Sequence, residues 1–346
     1  MAHPIRYRGR YAPTPTGPLH LGNARTALLS WLAARAAGGV WLMRVEDLDG
    51  PRVRPGLEAR ILDELAWLGL RWDPEEAPPR ETAGPGASGA LPRPPPSADG
   101  IFRQSARLPL YEEALRRLAA SGLAYPCFCS RAEVARASQA PHASDEGPRY
   151  PGTCRDLPAS ARAERSARRR PAWRFRVPGG PVAFEDGVHG RCAFDVGATV
   201  GDFVVMRGDG VPAYQLAVTV DDAAMGITEV VRGDDLLPST ARQLLLYRAL
   251  GAAPPRFAHV PLVVGPDGER LAKRHGALSL GELRERGADP RSVVGLLAAL
   301  SGLAAPGARL EPGELVAGFR LDRLPRGPAR LEPGAAGALV RVRLAP

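Results

Sequence analysis

A candidate strand at Arg6 to Ala12 runs into the loop PTPTGPLHLGN and then into an amphipathic helix from about Ala24 to Ala37. Val40 to Val45 (VWLMRV) reads as a second, buried strand. Pro55 to Leu68 reads as a helix, with Leu57, Ile61, Leu65 and Leu68 at helical spacing. Strand, helix, strand, helix in succession points to an α/β fold around a parallel sheet.

The rest of the chain reads as a second α/β half reached after insertions. Helices are expected at Leu110 to Gly122, Ser239 to Leu250 and Arg291 to Leu300, and strands at Thr199 to Met206, Tyr214 to Val220 and Thr228 to Arg232. Ala77 to Gly100 and Ala137 to Arg149 lack apolar periodicity and read as flexible insertions, and the Pro/Gly/Arg-rich stretch Ala304 to Pro346 as a poorly ordered tail. No repeat period is present, so solenoids and propellers are excluded. The longest uncharged apolar stretch, Val293 to Ala308, has 16 residues and contains Gly and Pro, short of the roughly 20 a membrane helix needs. The start MAHPIRYRGRYAP has no apolar signal core and there are only four cysteines, so a cytoplasmic location is expected.

Lys plus Arg number 46 against 37 Asp plus Glu, a net charge of +9, which suggests a polyanionic partner, with nucleic acid leading. Lys273 is the only lysine. In so arginine-rich a chain a cation without a special task would also be arginine. A lone lysine suits the compact point charge that follows a phosphate whose charge moves during reaction. The loop Pro13 to Asn23, between a strand and a helix, is the other candidate phosphate site. Backbone N–H groups and the helix dipole favour an anion there, Gly17 and Gly22 allow close approach, and His20 adds a donor.

Together, His20-Leu21-Gly22-Asn23 and Arg270-Leu271-Ala272-Lys273-Arg274 resemble the two signatures of the class I aminoacyl-tRNA synthetases. Asn23 replaces the second histidine of the first signature. Arg270, Ala272 and Arg274 replace the outer lysine and both serines of the second, while Lys273 keeps the second lysine's place. RYAPTPTGPLHLGN, Val45-Glu46-Asp47-Leu48-Asp49, AYQLAVTVDDAAMGITEVVRGDDLLPSTARQLLLYRALG and FAHVPLVVGPDGERLAKRHGA resemble the glutamyl branch, over roughly Arg6 to Gly302. The resemblance implies a Rossmann-type catalytic domain with His20 and Lys273 catalytic. It also implies ATP, with Mg2+, at His20, Gly22, Asn23 and Lys273, and L-glutamate held by Arg10, Thr14, Glu46, Tyr214 and Arg232. The chemistry agrees, since a dianionic amino acid with one ammonium needs two cations and one anion, which Arg10, Arg232 and Glu46 supply.

Cys127, Cys129 and Cys154 fall within 28 residues, which in a reduced chain reads as a metal site rather than a disulfide. Cys-x-Cys followed by Tyr-x-x-x-Cys resembles the zinc site of the short glutamyl-queuosine tRNA(Asp) synthetases, which implies one structural Zn2+ with Tyr150 as fourth ligand; His142 is the competing candidate. The run Arg162 to Arg176 carries seven arginines, and reads equally as an RNA-tracking patch or as a solvated face.

Only 70 residues follow Gly276, too few for the anticodon-binding region of the full-length enzymes. The layout expected from the resemblance is therefore a catalytic half at 1–108, a zinc-bearing insertion at 109–195, a second half at 196–262, a signature loop and helical segment at 263–303 and a tail at 304–346. No anticodon-binding domain is expected. The activity implied is activation of glutamate to glutamyl-adenylate and its transfer to the queuosine base of tRNA(Asp), by a monomer. A truncated glutamyl-tRNA synthetase charging a tRNA 3′ end and a catalytically silent RNA-binding paralogue are the alternatives.

Overall fold

The computed structural model describes residues 6–74, 92, 96–137, 148–265, 267–269 and 279–331. Most of the Ala77 to Gly100 insertion, His142, and the second signature with Lys273 lie outside the described residues.

β1 (Arg8–Tyr11) leads through the His20 loop into α1 (Leu21–Ala36), followed by β2 (Val40–Val45), α2 (Leu57–Trp67) and β3 (Phe102–Arg103). β1 and β3 flank β2, both parallel to it. After α3 (Leu108–Ala120) the chain leaves this sheet. β4 (Ala124–Cys127), α4 (Arg131–Ala137), α5 (Ala159–Arg168) and β5 (Ala172–Phe175) form most of a small lobe. A hairpin of β6 (Val182–Asp186) and β7 (Gly190–Phe194) and the single turn α6 (Val196–Thr199) precede β8 (Val204–Met206), which completes the antiparallel sheet β4-β5-β8. The main sheet resumes with α7 (Tyr214–Ala224), β9 (Glu229–Gly233), α8 (Leu237–Ala249) and β10 (Arg256–Val260), with β10 parallel to β9 on one side and to β6 on the other.

The two halves meet at β1 and β9. Thr228 N–H donates to the Arg8 carbonyl at 2.9 Å, and Arg8 N–H donates to Thr228 Oγ1 at 2.8 Å. Across the molecule the order is thus β3-β2-β1-β9-β10, a doubly wound sheet whose ligand crevice lies beyond the C-terminal strand ends where the order reverses. The loops carrying His20, Glu46 and the end of β9 open there.

Several expectations are corrected. α1 has no polar stripe: Leu21, Ala24, Leu28, Leu29, Leu32 and even Arg25 and Ser30 are buried, so it is a central helix surrounded by protein. Arg25 is tolerated because its Nε donates to Ser301 Oγ at 2.9 Å and its Nη1 to the Pro261 carbonyl. Tyr214 to Val220 is helical, not a strand. Its β-branched Val218, Thr219 and Val220 favour a strand locally, but α7 is buried on nearly every side, which erases the 3.6-residue period. The boundary at 195 is crossed in both directions: the β6–β7 hairpin belongs to the main sheet, and β8 to the small one.

The described part of the tail is structured. β11 (Val263–Val264), α9 (Leu280–Glu285), α10 (Pro290–Ala299) and β12 (Ala329–Arg330) include a parallel pairing of β12 on β11. Phe319, Leu324 and Leu331 join the main core. Burying such side chains contributes on the order of 1.5–3 kcal/mol each, which overcomes the low apolar content that suggests disorder. Residues 332–346 lie outside the described residues.

Candidate active site

The first signature folds onto its own helix start. His20 is the N-cap of α1, and its Nδ1 accepts from the backbone N–H of Gly22 at 3.1 Å and of Asn23 at 3.3 Å. These are two of the N–H groups expected to be free for a phosphate; the imidazole occupies them, as a capping side chain does. A β-carbon at Gly22 would sit 3.0 Å from His20 Cε1, so glycine is needed for the ring to lie there. With Nδ1 accepting both N–H groups, the neutral ring carries its proton on Nε2. His20 also bridges to Ser279, and Leu280 N–H donates to the Leu19 carbonyl at 2.9 Å. The segment that follows the second signature is thereby stitched to the first.

Below the crevice lies a sealed charge network. Arg10 on β1 donates from Nε to Asp222 Oδ1 at 3.1 Å. Arg44 on β2 donates from Nη1 to the same oxygen at 2.5 Å and from Nη2 to Glu46 Oε1 at 3.1 Å. Asp221, next on α7, takes Arg107 Nε at 2.6 Å, Gln104 Nε2 at 2.8 Å and the Tyr111 hydroxyl at 3.0 Å. Arg10, Arg44, Asp221 and Asp222 are all buried. Ions there must be paired to be tolerated. Burial raises the Glu46 pKa even against the pull of Arg44 and Arg10, so a ligand ammonium beside this carboxylate would be stabilising. Glu46 N–H donates to the Pro13 carbonyl at 3.0 Å, which sets Thr14 next to it.

Arg232, at the C-terminal end of β9, is buried, and its Nη1 has no hydrogen-bond partner among the described residues. The hydroxyl of Tyr247 on α8 is likewise buried without a partner among them, within the field of Asp222, Arg10 and Arg232. Tyr214 opens α7 and is 38% exposed. Arg10, Glu46 and Arg232 all lie within electrostatic reach of the Tyr214 hydroxyl. Thr14, Glu46 and Tyr214 line an open cleft of about 1540 Å³, whereas Arg10 and Arg232 stand behind its wall. Sequence reasoning did not find Arg44, Asp221, Asp222, His259 or Tyr247; the tandem acids of VTVDDAA inside an apolar run were the available signal.

The same cleft reaches the small sheet. Cys127, Cys129 and Tyr150 line its far end together with Arg131, Arg169, Arg170, Arg174 and Arg207. The Sγ atoms of Cys127, Cys129 and Cys154 lie within 4.8 Å of one another. Cys129 and Cys154 are 3.6 Å apart, and the Tyr150 hydroxyl is 3.4 Å from Cys127 Sγ. Zinc–sulfur bonds of about 2.3 Å in a tetrahedron put sulfurs about 3.7 Å apart, so three thiols and a phenol could hold one ion. Burial and the neighbouring thiols push the Cys129 pKa up to about 12, the strain of crowding that a cation would relieve. Arg174 lies 3.7 Å over the Tyr150 ring, with its Nε 3.3 Å from Cys127 Sγ, a fitting neighbour for an anionic ligand set. α5, with Arg162, Arg165 and Arg168, has no buried residue.

A model of the family described as tRNA synthetases class I (E and Q), catalytic domain, matches residues 6–309. The chain belongs to that family, an enzyme of ligase type built on the class I α/β catalytic fold. Among its relatives are proteins named glutamyl-Q tRNA(Asp) synthetase. The one from Symbiobacterium thermophilum is 51% identical over 333 residues, 96% of this chain and 98% of that protein. The one from Nocardia farcinica is 48% identical over 323 residues, 92% and 91% of the two chains. Glutamate–tRNA ligase 2 of Syntrophus aciditrophicus is 43% identical over 91% of this chain but only 62% of its own. Among solved structures, a glutamate tRNA ligase from Elizabethkingia meningosepticum in complex with its amino acid superposes with a TM-score of 0.78 at 29% identity, covering 97% of this chain and 69% of that one.

Proposed function

We propose that this enzyme activates L-glutamate with ATP to glutamyl-adenylate and transfers the glutamyl group to the queuosine base of tRNA(Asp). The first step is supported by Arg10, Arg232 and Glu46 lying within electrostatic reach of the Tyr214 hydroxyl, over a braced charge network. Two guanidinium groups meet the two carboxylates of glutamate, and Glu46 meets its ammonium. Thr14 closes the pocket beside Glu46.

Glutamate's α-carboxylate then attacks the α-phosphate of ATP and pyrophosphate leaves. Positioning and charge stabilisation supply most of the catalysis in such a transfer. His20 presents Nε2–H over the α1 N-terminus, with Gly22 and Asn23 beside it, and Lys273 holds the departing phosphates. Mg2+ bound with ATP neutralises phosphate charge. A hydroxyl of the queuosine cyclopentene ring next attacks the mixed anhydride and AMP leaves, with no protein nucleophile. Cys127, Cys129, Cys154 and Tyr150 hold one structural Zn2+, in preference to His142, because the Tyr150 hydroxyl already sits against Cys127 and receives the Cys154 N–H at 2.8 Å. The arginines along the cleft give a polyanion a route from the small sheet to the pocket.

The higher identity to the glutamyl-Q relatives, 51% and 48%, than to the S. aciditrophicus ligase, 43%, favours the queuosine acceptor over a tRNA 3′ end. The deciding experiment is ATP–pyrophosphate exchange with glutamate, glutamine and aspartate in the absence of RNA, followed by transfer to tRNA(Asp) with and without queuosine and to tRNA(Glu). Exchange with glutamate alone and transfer only to queuosine-bearing tRNA(Asp) is expected. Charging of tRNA(Glu) would make it a truncated glutamyl-tRNA synthetase, and absence of exchange a silent RNA-binding paralogue.

A further inference from the structure

Among the described residues Arg232 pairs with no carboxylate. The parallel register of β9 and β10 sets His259 beside it as its Cα partner. Arg232 Nε–H donates to His259 Nε2 at 3.0 Å, and Arg232 Nη2 donates to Thr240 Oγ1 at 2.9 Å. Thr240 Oγ1 in turn lies 3.1 Å from the same imidazole nitrogen, to which it can donate its own proton. On its other side the ring meets Asp186: His259 Nδ1 is 2.6 Å from Asp186 Oδ2. The Asp186 Oδ1 atom accepts three backbone N–H groups, from Val188 at 3.0 Å, His189 at 3.0 Å and His259 itself at 3.2 Å. Thr240 and His259 are 0% exposed, Asp186 and Arg232 each 5%.

This arrangement fixes protons. A buried carboxylate at Nδ1 is an acceptor only, so the imidazole proton resides on Nδ1 and Nε2 is left as a lone-pair acceptor facing the guanidinium. The ring is neutral, because burial outweighs the pull of Asp186. A carboxylate in the ring's place would hold Arg232 equally well but cancel its charge. A neutral acceptor immobilises the guanidinium while leaving its positive charge unspent. The unpartnered Nη1 is the donor that remains for a ligand.

We infer that His259, with its tautomer set by Asp186, is a positioning residue that aims Arg232 at a carboxylate of the amino-acid substrate and thereby sets affinity for that substrate. The inference rests on the glutamate reading above for the identity of the carboxylate.

Asp186→Asn tests it by exchanging one oxygen for an amide nitrogen. The side-chain oxygen of Asn keeps the three backbone N–H groups, while its NH₂ now faces His259 Nδ1 as a donor. The imidazole proton must move to Nε2, where it opposes the Arg232 N–H, as the same exchange does in a catalytic triad. Glutamate-dependent ATP–pyrophosphate exchange should show KM for glutamate raised about tenfold or more, with KM for ATP and Tm close to wild type. Long-range ¹⁵N NMR of His259 should report Nδ1–H in the wild type and Nε2–H in the variant. His259→Gln, whose Oε1 restores an acceptor near Nε2, should recover most of the affinity that His259→Ala loses, and it decides the matter if D186N does not fold. An unchanged KM for glutamate in D186N, an equal rise in KM for ATP, or H259Q no better than H259A would overturn the positioning role while leaving the glutamate reading intact. No exchange with glutamate in the wild type would overturn both.

Discussion

Arg44 and Asp222 meet at 2.5 Å between β2 and α7, with side chains 0% and 2% exposed. The same carboxylate holds Arg10 at 3.1 Å, so one acid orders both a pocket arginine and the arginine that grips Glu46. Asp222→Asn leaves two buried guanidinium groups short of a counter-charge. It should lower unfolding free energy by about 3–5 kcal/mol and raise KM for glutamate. Urea denaturation and exchange kinetics check the two effects, and a stable variant with unaltered KM would contradict the assignment.

Lys273, which the sequence singles out, is expected to stabilise the phosphates as charge shifts. Lys273→Ala should reduce glutamate-dependent exchange by about 10²-fold or more, the scale of losing one transition-state donor, with Tm unchanged. A rate equal to wild type removes it from the mechanism.

For the cysteine cluster, elemental analysis should find about one zinc per chain, and Cys154→Ser should abolish it. The same variant, or a strong chelator, should lower Tm, because the small core of Tyr125, Cys127, Phe128, Val134, Tyr150 and Cys154 closes around the sulfurs. Full stability without metal would argue for three plain thiols.

The C-terminal segment can be tested at Gly295. A β-carbon there would overlap the Ala308 carbonyl oxygen, which is backbone and cannot rotate aside. Gly295→Ala should cost about 1–3 kcal/mol or more, although alanine is the better helix former at an unconstrained site. A neutral or stabilising result would mean that Ala304 to Leu331 does not pack as described.

Acid stability should carry the signature of His259, which burial holds at about 4 against an ordinary 6.5. A folded pKa below the unfolded one means the unfolded chain binds the proton first. The ring's contribution is therefore intact above pH 6.5 and is lost as pH falls from 6.5 to about 4, by roughly 3 kcal/mol. Asp186, pushed up by burial yet held lower overall by its bonds from His259 and the backbone, fails only below the usual carboxylate range. His189 and Arg232 also bear on the ring. Denaturation between pH 7 and 4 should show a shallower loss in H259Q than in wild type.

Much of the fold was legible because β1, β2 and α2 carry their own patterns and the His20 loop sits where a strand feeds a helix. The proposed glutamate set rests on motif context alone: nothing local in the sequence about Arg10 or Glu46 distinguishes a buried charge from a surface one. What supports them was not legible. Arg44, Asp221, Asp222 and His259 are partnered across long chain separations, and α7 hides its helical period inside the protein. The segment after Ala304 has few apolar residues, yet Phe319, Leu324 and Leu331 are each placed into the core, so composition understated its order.

Tyr214 inherits its place from the cysteine lobe. β5 is bonded on one edge to β4, which ends at Cys127, and on the other to β8. Ala213 N–H is then tied to the Val205 carbonyl at 3.0 Å, one residue ahead of the tyrosine. The lobe is thus joined, strand by strand, to the residue that precedes Tyr214. On the proposed glutamate reading, oxidation of the thiols should therefore weaken the hold on the amino acid as well as the lobe.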